Sequence, residues 1–362
     1  DNPKWNTGVD VNYRNGKVNL YSSWGGNYNK NANFGFLDRS EVQIFQDFNI
    51  LDDSNSNLYK VGLDYYINDK NTFSVFTNQN TFKGFVNGDV TVDFPMDAND
   101  VVQTFDQRSN NLSSQYNLDY KLDFDKEGHN IELEVDHNIF DAEEQGTFIF
   151  DGQNVAQDYK DLVDTERSRT TINLDYVNPL SETFKLELGA QARLFNSQIG
   201  RTSNQTIINP FNLSIDPDTF ITSPTTDFDY TRDIYSLYAS VNKTWEKWSA
   251  QVGLRFESVN VDADTRETFE SNVVTDDLSN FSTDPDINVS RDGDSVLRNF
   301  GNDYTEVYPS AFLTYNPSEK NQFQFSYSRR VDRPGIGQVN PIREFSTPLI
   351  SAFGNTSLVP QF

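Results

Sequence analysis

Sustained period-two alternation, turn residues between the alternating runs, and connections that are short and long by turns predict an all-β chain. The fold class they point to is an antiparallel up-and-down transmembrane β-barrel, here a segment of about 12 strands. Composition agrees. Only 36% of the 362 residues are apolar, below the roughly 45–50% of soluble domains. Yet 29 Phe and 17 Tyr raise the aromatic share to 14%, which a disordered chain does not carry. Such a chain needs much apolar surface and little dry core, and a membrane barrel with a polar lumen supplies both.

The elements follow in order. Trp5, Thr7, Val9, Val11 and Tyr13 share one face of a strand, while Asn6, Gly8, Asp10, Asn12 and Arg14 share the other, because successive strand side chains point to opposite sides. Asn15-Gly16 suits a tight type I′ turn, and Val18, Leu20, Ser22 and Trp24 resume the pattern. Val61, Leu63, Tyr65 and Ile67 lead through Asn68-Asp69-Lys70-Asn71 to Phe73 and Val75. Leu112, Tyr116, Leu118, Tyr120 and Leu122 precede a turn at Asp125 to Gly128, then Ile131, Leu133, Val135 and Ile139. Ile172, Leu174 and Tyr176 precede a turn at Asn178-Pro179, then Phe184, Leu186, Leu188, Ala190, Ala192 and Leu194. Tyr235, Leu237, Ala239 and Val241 precede Asn242 to Lys247, then Trp248, Ala250, Val252, Leu254 and Phe256. Ala311, Leu313 and Tyr315 precede Asn316 to Lys320, then Phe323, Phe325 and Tyr327. The total is twelve strands in six hairpins.

Between hairpins lie polar stretches near Asn29 to Asn57, Lys83 to Ser109, Asp141 to Glu166, Asn196 to Arg232 and Val259 to Asp303. So many long loops are foreign to a compact soluble domain, whereas outer-membrane barrels join strands by short periplasmic turns and long external loops. Asn87-Gly88 and Asp151-Gly152 are expected as turns of hairpins projecting beyond the bilayer. Tyr13, Tyr65 with Phe73, Tyr120 with Phe124, Tyr176 with Phe184, Trp245 with Trp248, and Tyr315 with Phe323 flank the short turns. Aromatic rings are favoured at that headgroup level. With short turns periplasmic, the first strand runs inward, so an outward strand is expected before Asp1. Arg329 to Phe362 reads as an external loop. The chain is thus expected as one barrel segment over 1–362, open at both edges, and such edges need further strands in lipid.

A net charge of −25 leaves no basic surface for nucleic acid. The absence of cysteine removes disulfides and thiol chemistry, and two histidines offer little for a metal or catalytic site. No cofactor is expected. His137 stands on an apolar strand face and His129 in a turn, so no Ser–His pair for hydrolysis emerges and the chain reads as a non-enzyme.

Tyr327-Ser328-Arg329-Arg330-Val331-Asp332-Arg333-Pro334, Asn340-Pro341 and Gly354-Asn355-Thr356-Ser357-Leu358-Val359-Pro360 form a specific signature. It resembles that of the Bacteroidota-type outer-membrane β-barrel proteins of the TonB-dependent receptor family. Asn12 to Lys17, Asp64-Tyr65-Tyr66 with its Asn68 to Asn71 turn, and Phe124 to His129 resemble that family too; Gln361 departs from it, where an acidic residue is usual. The resemblance implies a bacterial outer membrane, a plug before the barrel and about 22 strands in all. Its implied partners are membrane lipid, the protein's own plug domain and missing strands, the TonB complex, and a surface lipoprotein or other envelope partner.

Lumen-facing candidates are Glu132, Glu134, Asp136, Lys185, Glu187, Gln191, Arg193, Arg255, Glu257 and Arg330. Contact with substrate or plug and a plain hydrated wall both account for them. Asp284, Asp286, Asn288, Asp292 and Asp294 alternate as calcium ligands could, but an EF-hand loop needs Gly where Val289 stands, and no metal site is assigned. The functional expectation is a TonB-dependent receptor barrel importing a bulky nutrient such as a glycan, peptide or chelated metal. The rivals are a non-transporting barrel subunit or scaffold of a secretion or assembly complex, and a complete twelve-stranded pore. Phe362 favours the pore, but Pro360 interrupts the alternation there.

Overall fold

The computed structural model describes residues 3–41, 43–93, 100–151, 158–204, 225–269, 288–342, 344–347 and 350–362. It is an antiparallel sheet of fourteen strands. They are β1 (Lys4–Asn15), β2 (Val18–Arg39), β3 (Ile44–Asn68), β4 (Asn71–Asp93), β5 (Val101–Asp123), β6 (Asn130–Asp151), β7 (Tyr159–Ser181), β8 (Phe184–Ser203), β9 (Thr225–Thr244), β10 (Trp248–Thr268), β11 (Asn288–Asp292), β12 (Ser295–Gly301), β13 (Tyr304–Ser318) and β14 (Asn321–Ser328).

From β1 to β10 each strand pairs with the next. β10 then forks: Trp248 to Val259 pairs with β13, while Asp262 to Thr268 pairs with β12 of the β11–β12 hairpin. β13 pairs in turn with β14. Leaving aside β11–β12, twelve strands follow one another up and down, as the sequence predicts. The sheet is consistent with a β-barrel, and among the described residues β1 and β14 do not pair with each other.

The six hairpin turns that the sequence predicts lie together on one rim, tied by hydrogen bonds between neighbouring turns. Tyr66 N donates to Lys17 O, Asp123 N to Lys70 O, Thr244 N to Thr183 O and Asn316 N to Lys247 O, each at 2.8 Å. Gly16 takes φ +57°, as the first hairpin turn requires. Asn68 Oδ1 accepts from Lys70 N and Asn71 N, both at 3.0 Å, which closes its turn. One turn moves: Asn178 and Pro179 remain in β7, in register with Leu186 and Lys185, and the chain reverses at Glu182-Thr183.

The predicted apolar sets share one face in unbroken register. One row runs Val18, Tyr65, Phe73, Tyr120, Leu133, Leu174, Ala190, Leu237, Phe256 and Val307. It starts beside the first short turn, meets β10 eight residues past its start at Phe256 and ends at Val307 in β13, the kind of stagger that closing a sheet into a barrel demands. The apolar side chains on it stay open, Leu237 at 63% and Val252 at 56%, as a lipid-facing wall would be. Trp248 stacks on Tyr315 at 4.2 Å near the short-turn rim.

The long loops are largely strand instead. β2 to β7 are 22 to 25 residues long, about twice what a tilted strand needs to cross a bilayer. Asn87-Gly88 is therefore no turn but lies within β4, opposite Leu51 and Ile50. Asp151 ends β6, and Gly152 lies outside the described residues. The alternation persists beyond the bilayer with its phase inverted. In β10 the apolar residues Val252, Leu254 and Phe256 give way to Val259, Val261 and Ala263, which stand on the opposite face and are at most 8% exposed. Outside lipid the outer face meets water, so the inner face becomes the one to pack.

The segment after β14 is not an external loop. It turns back over the inner face through α1 (Ile336–Val339), and β15 (Glu344–Thr347) pairs with β16 (Ile350–Ala352) beyond it. Ile336, Val339 and Ile342 join the buried cluster of Ile199, Phe228, Tyr230, Ile234, Val259, Val261, Ala263 and Phe300. The segment closes on itself where Asp332 and Gln361 exchange backbone hydrogen bonds of 2.9 Å.

Candidate functional site

The inner face of the membrane-level strands is polar and internally bonded. Asn173, Gln191, Ser236, Glu257 and Glu306 form one row across β7, β8, β9, β10 and β13. Gln191 donates to Asn173 at 2.6 Å, and Asn173 to Glu134 at 3.1 Å. Asn117 reaches Glu134 at 3.4 Å and Asp136 at 3.5 Å, and Gln115 donates to Asp136 at 2.6 Å. Polar groups of neighbouring strands thus satisfy one another, as removal from bulk water demands.

Glu257 is the focus. Its side chain is only 5% exposed. Arg255 Nε donates to its Oε1 at 2.7 Å, Ser236 Oγ at 3.3 Å and Arg193 Nη2 at 3.4 Å. Its Oε2 accepts from Arg333 Nη2 of the returning segment. Arg255 also reaches Gln191 Oε1 at 2.6 Å and Ser236 Oγ at 2.8 Å. Arg333 Nε donates to Tyr304 OH at 2.8 Å, and Arg232 Nη1 to Pro334 O at 3.0 Å. The last bond holds the chain where Arg333 can point inward.

Of the lumen candidates, Glu132, Glu134, Asp136, Lys185, Glu187, Gln191, Arg193, Arg255 and Glu257 all lie on this polar face, opposite the apolar sets in register. Gln191, Arg193, Arg255 and Glu257 come together. Lys185 and Glu187 form a separate ion pair of 2.5 Å nearer the short-turn rim, with Ser240 donating to Glu187 at 2.8 Å. Glu132 stands in register with Lys121 and Asp175.

Arg330 is the exception. It lies past the end of β14, exposed, with Nε on Ser328 Oγ at 3.2 Å. Its expected place is taken by Arg333, because the strand stops at Ser328 and period-two counting no longer applies. Arg333 stood in the Arg-rich signature, but only the return of the segment brings it to β10. Arg329 serves the same join from outside the site, with Nη1 on Glu306 Oε2 at 2.6 Å and on Val307 O at 2.9 Å. These contacts are a physical account of the arginines in that signature.

The calcium candidates within the described residues do not converge. Asn288 and Asp292 stand at opposite ends of β11, four residues and ~13 Å apart, and Asp292 is held by Arg266 at 3.1 Å. Asp294 follows Gly293 in the β11–β12 turn, and Asp284 and Asp286 lie outside the described residues. Among the described residues no three acidic, His or Cys side chains gather for a metal. His137 Nδ1 bonds Thr170 Oγ1 at 2.8 Å on the outer face, and His129 Nε2 bonds Tyr176 OH at 3.0 Å near the rim. Neither is paired with a serine.

Comparison with known proteins gives one family. The model of the outer membrane protein beta-barrel family matches residues 122–362, two thirds of the chain. No curated protein sequence matches. Among solved structures, the outer membrane protease OmpT of Escherichia coli aligns over 85% of this chain and 96% of its own, at 12% identity and a TM-score of 0.29. That likeness is too slight to transfer anything from the protease. The family match meets a sheet with an apolar outer face, a bonded polar inner face and short turns on one rim: the chain belongs to the outer membrane protein β-barrel family and resides in the bacterial outer membrane.

Proposed function

We propose that this chain forms part of the wall of a TonB-dependent receptor barrel that imports a bulky hydrophilic nutrient. The observation that carries the reading is the polar ribbon from Gln115 to Arg333, hydrogen-bonded across β5 to β10. A wall that lines a solute path must satisfy its own polar groups and still offer polar surface to a hydrated lumen. The remaining wall and a plug come from strands and a domain other than those described, and the TonB complex delivers the work of opening. No step of this role needs a catalytic residue.

The test compares cells with intact TonB against cells lacking it or treated to dissipate the proton gradient. Growth-supporting peptides and oligosaccharides, labelled with a fluorophore, are the probes. Uptake dependent on this protein should stop while surface binding persists. Uptake that ignores both treatments rejects the importer.

A second reading has its own support. Phe34 and Phe36, at the far end of β2, are 83% and 70% exposed on the outer face, and Phe36 stacks on Phe45 at 5.7 Å. Aromatic surface so far from the short-turn rim suits an envelope partner such as a surface lipoprotein, or a subunit of a secretion or assembly complex.

A further inference from the structure

We infer that the inner wall holds an oxyanion-binding site built on Arg193, Arg232, Arg255 and Arg333, which takes a carboxylate, sulfate or phosphate group of a solute in the lumen. The case begins with charge. The chain as a whole carries −25, and the wall towards β5 and β6 is acidic, with Asp119, Glu132, Glu134 and Asp136. At Glu257 the sign reverses. Arg193, Arg255 and Arg333 all direct donors at its one carboxylate, and Arg232 lies within electrostatic reach of Arg193. The neighbouring acid, Glu306, is engaged by Arg329. Three guanidiniums therefore share a single carboxylate, and Arg232 adds a fourth positive charge beside them while donating to Pro334 O.

Donor geometry points the same way. Arg255 divides its donors among Glu257, Gln191 and Ser236, and Arg333 among Glu257, Tyr304 and Tyr308. Arg193 is underused: its bond to Glu257 is 3.4 Å long, and its buried Nε has no hydrogen-bond partner. A buried donor left unpaired is costly, and a guanidinium meets an oxyanion in a planar two-donor fork. The Arg193 side chain is still 38% exposed through atoms other than the buried Nε, so a ligand meets the guanidinium edge first and gains Nε by drawing the side chain off Glu257. The surplus of positive charge and the unused donor belong to the same side chain.

The assignment deepens the transport reading by naming the ligand's chemistry, and it rests on that reading only for why a solute meets this wall. Binding is therefore read without uptake. Full-length protein in detergent is titrated calorimetrically with citrate and with sulfate at low ionic strength. Both should bind. Arg193→Gln should weaken binding about tenfold, the loss of a charge-assisted contact, and Glu257→Gln should tighten it by removing the competing carboxylate. Arg14→Gln, at the short-turn rim, should change nothing. Heat-modifiable migration on gels checks that each variant is folded. No binding by the unaltered protein, full binding by folded Arg193→Gln, or weaker binding by folded Glu257→Gln would each overturn the site. Absent uptake with intact oxyanion binding would count against the importer alone.

Discussion

Arg333 donates to Glu257 across the inner face, joining the segment after β14 to the tenth strand over 76 residues of sequence. The bond explains why that segment lies inside. Its cation completes a buried carboxylate's shell, while Ile336, Val339 and Ile342 add apolar contact on the same wall.

Arg333→Gln should free this segment. Removing one partner of a buried ion pair costs about 3–5 kcal/mol when a bare charge remains. Glu257 keeps Arg193 and Arg255, so the loss should fall below that range. Limited proteolysis is the measurement: cleavage within 330–342 should appear in the variant and not in the parent. Equal resistance would mean that the apolar contacts alone hold the segment.

The face assignment predicts an asymmetry between neighbouring positions. Leu188 lies on the lipid face, opposite Tyr176 and Ala239, so Leu188→Arg should cost about 2–4 kcal/mol if it stands near mid-bilayer. Ser240 is on the inner face beside Glu187, at 2.8 Å, so an arginine put there by Ser240→Arg faces the polar wall and shares that carboxylate with Lys185. Folding titrations of the full-length protein into lipid vesicles should show a much smaller penalty for the second change. Similar penalties would contradict the register.

Gly189 predicts a steric effect. The Tyr238 ring lies over it, with Cζ only 2.2 Å from where a Cβ would stand, and the Tyr238 hydroxyl donates to Asp175. Gly189→Ala must push the ring away and break that bond, at about 1–3 kcal/mol. Phe in place of Tyr238 removes the bond and leaves the ring. In vesicle titrations Gly189→Ala should be the more destabilising of the two, and the reverse order would exclude ring displacement as the cause.

At the short-turn rim, the Lys70 ammonium beside Asp125 holds its carboxyl below the usual carboxylate range. A depressed carboxyl contributes its stability above the ordinary Asp pKa and loses it as pH falls through the folded value. Both groups are exposed, so the effect on folding is small. Lys70→Gln should raise the Asp125 midpoint, followed by NMR of labelled aspartate in micelles. An unmoved midpoint would remove the pairing.

The sequence by itself determined the twelve consecutive strands, their two faces and the rim of short turns, because each depends on neighbours one or two residues away. Val252, Leu254 and Phe256 declare a lipid-facing side before any fold is known, and Asn15-Gly16 declares its turn. Nine of the ten lumen candidates lie on the polar face for the same reason: parity places them. Only the tertiary structure decided how far the strands run. Where Phe256 is followed by Val259, the apolar phase inverts, and in one dimension that reads as the end of a strand. In three dimensions it marks the level where lipid ends, since the outer face turns to water and the inner face begins to pack. Nor could spacing place Arg333. Its partner Glu257 is remote in sequence, and the two meet only because the segment around a short helix packs Ile336, Val339 and Ile342 against the wall and brings the arginine with it.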